Sequence, residues 1–278
     1  MYSPHWKLNR RPFENTLEPE FFFPSQTHQA ALLKLRYLIE NQKGAGVLVG
    51  PTGAGKTFVI HRLAKELSQQ VGPWLNLVFP QMSADDLLTD VAIRLGGESV
   101  AADWPTHSVL PRSAALRIIE RSLDEHSSAG RHPVLVIDDA HLIDDPATLQ
   151  ALELLLNLQQ PPQRAFSLIL LGDRLLLSRL ARLPRFDERL AIRAMLQSLS
   201  PDETARYIRC RLEISGARNA IFDAEAVAEI AELSGGIPRR INRLADLALL
   251  VGYADGRSQL TAEDVASVSE ELATVGVE

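Results

Sequence analysis

The chain has 278 residues, of which 46% are hydrophobic and 23% are charged, and this length allows one large or two modest domains with an apolar core. Its formal net charge of −6 and its pI of about 5.7 argue against a strongly basic nucleic-acid-binding protein, although they leave room for a local basic patch. The single cysteine, Cys210, excludes an internal disulfide. No apolar run approaches the roughly 20 residues that span a bilayer, and the N-terminus lacks the apolar core of a signal peptide. We therefore expect a cytoplasmic protein without a membrane segment.

The first 27 residues are rich in proline and aromatic residues. Pro12 and Phe13 are followed by the segment PEFFFP at residues 19–24. This composition predicts an extended arm that is held in place by buried phenylalanine rings. Behind Ser25, apolar residues recur at intervals of three and four, which predicts a helix.

Short apolar runs then alternate with helical patterns up to about residue 195. Strands are predicted at residues 46–49, 75–79, 134–137 and 167–171, and helices at 58–67, 85–95, 113–126 and 149–158. Strands separated by helices are typical of a parallel sheet that is covered on both faces. The first part of the chain is therefore predicted to be an α/β domain.

Beyond residue 195 the apolar spacing is only helical. Helices are predicted at residues 202–213, 223–234, 239–253 and 261–272, with Asp202, Asp223 and Thr261 as caps or first-turn residues. This change of pattern predicts two domains. The α/β domain with its N-terminal arm would cover residues 1–198, and a small helical lid domain would cover residues 199–278.

Residues 50–57 match the pattern G-x-x-x-x-G-K-[ST] without a mismatch, between a predicted strand and a predicted helix. Glycines let such a loop turn its N–H groups toward phosphate oxygens, and the helix that follows adds the positive end of its dipole. Lys56 would supply a positive charge for the β- and γ-phosphates, and Thr57 a hydroxyl ligand for Mg²⁺. A glycine-rich structural turn is the alternative. The predicted nucleotide-binding residues are Gly50, Pro51, Thr52, Gly53, Ala54, Gly55, Lys56, Thr57 and Phe58.

Two carboxylates, Asp138 and Asp139, follow the apolar run at residues 134–137. In folds of this class the ends of neighbouring parallel strands meet beside the phosphate loop. Asp138 is therefore predicted to orient Mg²⁺, directly or through water, and Asp139 to polarise the attacking water. The alternative is that both residues only cap a turn. Many ATPases of this type carry Glu at the second position, so the shorter Asp139 would support hydrolysis either as a base or at a slow rate.

Three blocks of the chain carry a resemblance to a known family. The first is the arm, with Pro12-Phe13, FFFP at residues 21–24, His28 and LRYLIE at 35–40, which leads into the phosphate loop; the second is VIDDAHL at 136–142; the third is LSGGIPRRIN at 233–242, followed by ALLVGYADGR at 248–257. Over nearly the whole chain they resemble the AAA+ ATPases of the general (type II) secretion pathway, which are similar in turn to transposition ATPases that deliver target DNA. The resemblance implies that the nucleotide is ATP.

The resemblance also implies roles for two residues outside the phosphate loop. Asp173, after the strand at residues 167–171, stands where the family has a polar sensor of the γ-phosphate, and as an acid it is expected to hold the attacking water or an arginine. Arg239 matches a second sensor, which would clamp the γ-phosphate and couple the lid to the nucleotide state. Pro238 before it suits the first turn of a helix. His141 follows Asp139 by two residues and could touch the nucleotide site, but packing at the end of the strand is the favoured interpretation.

Residues 179–193 are rich in arginine. In ATPases of this kind an arginine here reaches into the site of the neighbouring subunit as an arginine finger. The pattern makes Arg189 the first candidate and Arg185 the second. The alternative is an exposed, charged helix face.

The leading functional hypothesis is a homo-oligomeric ATPase that assembles or remodels a protein partner. A DNA-associated ATPase of the transposition or replication-initiation type is possible but not favoured, because the pI is acidic. Its basic stripe would be formed by Arg206, Arg209, Arg211, Arg239, Arg240 and Arg243. A third hypothesis, motivated by Asp139, is a switch that binds ATP without hydrolysing it.

Overall fold

The computed structural model describes residues 1–67, 71–78, 81–97, 109–160 and 164–275, with side chains described up to residue 272. The chain divides into two compact units. The sheet unit comprises Gln29–Gly50 and Val59–Leu196, and the helical unit comprises Met1–His28, Pro51–Phe58 and Gln197–Glu278. The predicted strand end at Phe79 lies outside the described residues.

The sheet unit is built on five parallel strands in the order β2-β3-β4-β1-β5. They are β1 (Ala45–Val49), β2 (Trp74–Leu77), β3 (Val134–Ile137), β4 (Ser167–Gly172) and β5 (Leu190–Met195). Strands β1, β3 and β4 are buried at every residue, as expected for strands that are covered on both faces. The predicted parallel sheet with flanking helices is confirmed.

Each predicted helix is present, and two short helices between residues 174 and 188 were not predicted. In chain order they are α1 (Gln26–Glu40), α2 (Lys56–Leu67), α3 (Ala84–Gly96), α4 (Arg112–Ser128), α5 (Pro146–Asn157), α6 (Arg174–Leu180), α7 (Pro184–Glu188), α8 (Pro201–Ile214), α9 (Ala224–Ser234), α10 (Pro238–Ala254) and α11 (Ala262–Val275). In the sheet unit, Leu87 of α3, Ile119 of α4 and Leu152 of α5 belong to the same buried cluster as the strands. Among the helices of the described ranges, none combines the length and the apolar composition needed to cross a bilayer.

The edge strand β5 was not predicted. Leu190 and Ala194 are buried in it, whereas the residues between them are partly or fully exposed, so the apolar pattern is weak. Pairing with β1 nevertheless makes this segment a strand. The interpretation of residues 179–193 as one charged helix face is therefore wrong, because they form parts of α6, α7 and β5.

The helical unit has α8, α9, α10 and α11 around one apolar cluster, to which Ile208, Ile230 and Leu249 contribute. Its helices begin with side-chain caps. Ser200 and Glu203 form a reciprocal capping box at the start of α8. The carboxylate of Asp223 accepts the N–H of Ala226, with 2.6 Å between the two atoms, at the start of α9.

The N-terminal arm packs into the helical unit. Phe13 and Phe21 are buried, as predicted, and Phe13 belongs to the apolar cluster of α8–α11. Arg211 of α8 anchors the arm, because its Nη1 donates to the carbonyl oxygens of Pro12, at 2.7 Å, and of Glu14, at 2.9 Å. This packing differs from the predicted grouping of the arm with the α/β domain. It also excludes Arg211 from a DNA-binding stripe, since only 3% of the residue is exposed.

Candidate nucleotide-binding site

The phosphate loop turns on two glycines that take a left-handed backbone. Gly53 has φ +83° and Gly55 has φ +97°, a region that favours glycine. A Cβ atom added at Gly53 would lie 2.7 Å from the Cβ of Arg239 and 3.2 Å from Cγ2 of Ile237. Glycine is therefore needed at position 53 for its conformation and also for the close approach of the start of α10.

The donors of the loop fit a chain of phosphates. Among the described residues, the backbone N–H groups of Gly53 and Gly55 donate no hydrogen bond. Lys56, at the first position of α2, is only 7% exposed, and its Nζ donates to the carbonyl oxygen of Pro51 at 3.1 Å. The ammonium group thus lies folded over the loop that precedes it. Free N–H groups beside a helix N-terminus and a lysine are the donor set that binds polyphosphate.

Arg239 is held beside the phosphate loop by its own backbone. Its N–H donates to the carbonyl oxygen of Gly53 at 3.2 Å. The side chain is exposed and, within the part of the chain that the structure describes, makes no ion pair or hydrogen bond. A cation in this position is available to an anionic ligand of the loop, as the predicted sensor role of Arg239 requires.

The glycine pair before α10 fixes where that helix begins. Gly236 has φ +69°, and a Cβ atom there would lie 2.0 Å from the carbonyl oxygen of Leu199. The N–H of Leu199 donates to the carbonyl oxygen of Gly236 at 2.8 Å. Pro238 then occupies the first turn of α10, where a missing N–H has no cost. The short segment from Gly236 to Arg239 thus connects this backbone contact to the phosphate loop.

His28 is a site residue that the sequence named only within a block of resemblance. It is 6% exposed, and its Nε2 lies 3.0 Å from the carbonyl oxygen of Ala54 in the phosphate loop. Its Nδ1 lies 2.6 Å from the Oγ of Ser25. Burial is the largest influence on His28 and lowers the pKa of its imidazole. No local spacing pattern connects a histidine to a loop 26 residues later in the chain.

In the sheet unit, Gly50, Asp138 and Asp173 follow β1, β3 and β4, which are neighbours in the sheet. The three residues therefore share the carboxyl edge of the parallel strands, as predicted. Asp138 is 8% exposed, and its Oδ1 accepts the N–H of Asp139 at 2.9 Å. Asp139 has φ +48° and ψ +36°, a left-handed conformation that costs a non-glycine residue about 1 kcal/mol. Its side chain is about half exposed, at 51%.

His141 lies between two of the carboxylates at this edge. Its Nδ1 is 3.9 Å from Oδ1 of Asp139, and its Nε2 is 3.8 Å from Oδ2 of Asp173. These distances are too long for hydrogen bonds. Asp173 also caps α6, because its Oδ1 accepts the N–H of Leu175 at 2.8 Å. The expectation that His141 only packs at a strand end therefore missed its place between Asp139 and Asp173.

The structure distinguishes the two arginine-finger candidates by their surroundings. Arg189 is bonded within its own chain, because Nη1 donates to the carbonyl oxygen of Leu156 at 3.0 Å and Nη2 to Oδ1 of Asn157 at 2.6 Å. It thereby caps the C-terminus of α5. Arg185 is exposed and, among the described residues, has no ion pair or hydrogen bond from its side chain. The role of Arg189 as the finger remains a prediction.

Comparison with known proteins identifies a family model and a relative that match this chain. Residues 39–180 match a family model described as "AAA domain". The chain is 28% identical over 286 residues to General secretion pathway protein A of Aeromonas hydrophila, in an alignment that covers 99% of this chain and 49% of that protein. The chain thus spans about half the length of this curated relative.

Solved structures with the same fold include Cdc6p of Pyrobaculum aerophilum, with a TM-score of 0.72 and 16% identity over 94% of this chain and 70% of that one. The ORC1 protein of Aeropyrum pernix in complex with DNA has a TM-score of 0.69 and 15% identity, covering 91% of this chain and 67% of that one. The RuvB Holliday junction branch migration motor of Thermotoga maritima has a TM-score of 0.56 and 20% identity, covering 88% of this chain and 69% of that one. At such low sequence identities, the similarity to these structures shows a shared fold and nothing further.

Proposed function

This chain belongs to the AAA domain family and is a P-loop ATPase, and we propose that it uses Mg²⁺-dependent ATP binding and hydrolysis between subunits to assemble or remodel a protein partner. The observation that carries the proposal is the hydrogen bond between the phosphate loop and the start of α10, from the N–H of Arg239 to the carbonyl oxygen of Gly53. It connects the start of α10 directly to the loop that is proposed to hold phosphate, within the helical unit.

Phosphate binding and Mg²⁺ binding are assigned to different residues of the chain. The N–H groups of Gly53 and Gly55 and the ammonium group of Lys56 would bind and orient the phosphates. Thr57 and Asp138 are the proposed ligands of Mg²⁺, on the strength of their places in the two motifs. Bound Mg²⁺ neutralises charge on the phosphate oxygens, and such a site needs only one or two protein ligands beside phosphate and water.

Asp139 is the proposed general base. Its carboxylate is half exposed at the carboxyl edge of the sheet, so it can reach a water molecule, and its left-handed backbone is the kind of local strain that persists at functional sites. His141 lies beside it, Asp173 lies beside the other ring nitrogen of His141, and both residues would order that water. We propose that His141 has this role because its ring nitrogens are within 4 Å of both carboxylates, at 3.9 and 3.8 Å.

The coupling to mechanical work would start at Arg239. Its exposed guanidinium group would clamp the γ-phosphate, and its backbone is already bonded to the loop. Loss of the γ-phosphate on hydrolysis removes this contact, and α10 is then free to take another position. We propose that this movement belongs to the lid helices of residues 199–278.

A protein partner is proposed because of the similarity to General secretion pathway protein A, whose name places it in a secretion pathway. We also propose a cytoplasmic location. Leu175 of α6 is 60% exposed and Arg185 of α7 is exposed, so we propose that a neighbouring subunit contacts these helices. We assign the arginine finger to Arg185 or Arg189. Arg189 would first have to leave the C-terminus of α5, whereas Arg185 is available as it stands.

The test is the steady-state ATPase rate as a function of protein concentration, with and without Mg²⁺. We expect specific activity to rise with concentration, and Lys56→Ala and Asp139→Asn to abolish it. If wild type matches Lys56→Ala at every concentration while it still binds ATP, the chain is a switch that does not hydrolyse ATP, and the motor proposal fails.

Mixing experiments identify the finger. Lys56→Ala has a dead site but an intact finger, and a finger variant has an intact site without a finger. A mixture of the two should therefore recover activity that neither has alone. Arg185→Ala and Arg189→Ala are the two finger variants, with the exposed Arg182→Ala as a matched control. If neither variant is complemented, hydrolysis does not depend on an arginine from the neighbouring subunit in this segment.

A DNA-associated ATPase is the second candidate, because Arg206 and Arg209 on α8 and Arg240 and Arg243 on α10 are all exposed. Binding to DNA that falls steeply with salt, and a slope that decreases when these arginines are replaced, would support it. ATP hydrolysis that DNA leaves unchanged, with no salt-dependent binding, would exclude it.

A further inference from the structure

The imidazole of His28 connects the N-terminal arm to the phosphate loop through two hydrogen bonds. Its Nε2 lies 3.0 Å from the carbonyl oxygen of Ala54, and its Nδ1 lies 2.6 Å from the Oγ of Ser25. A carbonyl oxygen can only accept, so Nε2 must carry the proton and donate. In the neutral ring Nδ1 then accepts from the hydroxyl of Ser25. The two partners together therefore select one tautomer and one orientation of the ring.

The surroundings of His28 keep it in this neutral form. The residue is buried, and burial lowers the pKa of its imidazole. The ring of Phe22 packs edge-on against it, with 6.0 Å between the ring centroids, and the same Phe22 ring meets Phe58 at 5.3 Å. The histidine is thus a fixed donor in an aromatic setting at the beginning of α1.

The hydrogen bond from Nε2 of His28 to the carbonyl oxygen of Ala54 also determines where the N–H of Gly55 points. A trans peptide is planar, and its C=O and N–H groups point in opposite directions. Because the carbonyl oxygen of Ala54 points at His28, the N–H of Gly55 in the same peptide points away from it. Within the described residues that N–H donates to no protein group, so it is available to a ligand of the loop. A Cβ atom at Gly55 would lie 3.1 Å from Nε2 of His28, so the contact also depends on glycine.

We propose that His28 is a positioning residue for nucleotide binding, which holds the Ala54–Gly55 peptide so that the N–H of Gly55 faces a bound phosphate. The inference rests on the proposed nucleotide site and adds to it a residue from the arm. Without the imidazole, the peptide can rotate and present the carbonyl oxygen of Ala54 to the phosphates, which repel it. Loss of one charge-assisted hydrogen bond predicts an affinity lower by about tenfold to a hundredfold.

Replacing His28 with Gln or with Asn tests the hydrogen bond to Ala54 separately from the size of the side chain. The amide nitrogen of Gln reaches the place of Nε2, whereas that of Asn reaches only the place of Nδ1. We therefore expect His28→Gln to bind ATP and ADP within about threefold of wild type, and His28→Asn and His28→Ala to lose about tenfold or more. Ser25→Ala keeps the bond to Ala54 and should lose less than His28→Asn.

The measurements are calorimetric titration with ADP and with a non-hydrolysable ATP analogue, urea unfolding without nucleotide, and the KM and kcat of hydrolysis. A positioning role predicts a higher KM with kcat nearly unchanged, after correction for the folded fraction. Equal losses in His28→Gln and His28→Asn, or no loss in either, would overturn the assignment. Lys56→Ala is the control for the underlying function: if wild type and Lys56→Ala bind nucleotide equally, the nucleotide site itself is wrong, whatever the His28 variants do.

Discussion

Gly235 and Gly236 offer a test of the packing that fixes the beginning of α10. Both have left-handed backbones, with φ +58° and +69°. A Cβ atom at Gly235 would meet nothing within 4 Å, whereas one at Gly236 would lie 2.0 Å from the backbone oxygen of Leu199. Alanine at either position thus carries the same conformational penalty, but only Gly236→Ala also collides with backbone.

The geometry gives the size of each effect. The left-handed conformation costs alanine about 1 kcal/mol, which is the whole expected loss for Gly235→Ala. At Gly236 the backbone must move by roughly 1 Å, at an overpacking cost of about 1–3 kcal/mol. The hydrogen bond from Leu199 to Gly236 would weaken as well, for about 1 kcal/mol more. Gly236→Ala should therefore lower the free energy of unfolding by about 2–4 kcal/mol more than Gly235→Ala.

Urea unfolding followed by circular dichroism measures this difference. We also expect Gly236→Ala to weaken ATP binding, because the displaced segment carries Ile237 and Arg239, which contact Gly53. Gly235→Ala should bind ATP normally. Equal losses of stability in the two variants, or normal ATP affinity in a folded Gly236→Ala protein, would refute this account of the start of α10.

Three further predictions concern stability. Burial lowers the pKa of His132 from 6.5 to about 4, so the unfolded chain takes up this proton first as the pH falls. The stabilisation that this pKa difference gives the folded state is complete above pH 6.5 and is lost as the pH falls toward 4. Lowering the pH from 7 to 5 should therefore reduce the free energy of unfolding by about 2 kcal/mol. Urea titrations at the two pH values should show that His132→Gln abolishes this reduction. Arg211→Met should release the arm, seen as faster proteolysis near Pro12, at a cost of about 3 kcal/mol in unfolding free energy, whereas Arg209→Met, at an exposed position, should have no effect. Asp223→Ala should remove the cap of α9 for about 1 kcal/mol, and an unchanged melting temperature would contradict this.

Features carried by consecutive residues could be predicted from the sequence. The strands β3 and β4, the phosphate loop and the caps of α9 each depend on a local pattern, because period, turn chemistry and burial all act within about ten residues of chain. The carboxyl edge with Asp138 and Asp173 followed from the parallel order of the strands. Strand β5 was missed because its stability comes from pairing with β1, which its own weak alternation does not reveal.

Contacts between distant parts of the chain could not be predicted in the same way. Arg211 looked like an exposed cation on a helix, but the carbonyl oxygens of Pro12 and Glu14, about 200 residues away, make its burial possible. A guanidinium group can be buried only where acceptors form hydrogen bonds with it, and the residues near Arg211 in the sequence do not indicate that such acceptors are present. The same holds for His28, whose role depends on Ala54.

The hydrogen bonds of the phosphate loop explain why arm and lid residues belong to one functional site. Every backbone carbonyl oxygen and N–H group needs a partner when it is shielded from water. Two consecutive carbonyl oxygens of the loop have partners from elsewhere in the chain: that of Gly53 accepts the N–H of Arg239, and that of Ala54 lies against Nε2 of His28. Since the carbonyl oxygen of Ala54 is held in this way, the N–H of Gly55 in the same peptide is left for phosphate, whereas the N–H of Ala54 donates to the carbonyl oxygen of Pro51. A phosphate that tightens the loop must then act on His28 and Arg239 together, and variants of these two residues should be non-additive in nucleotide affinity.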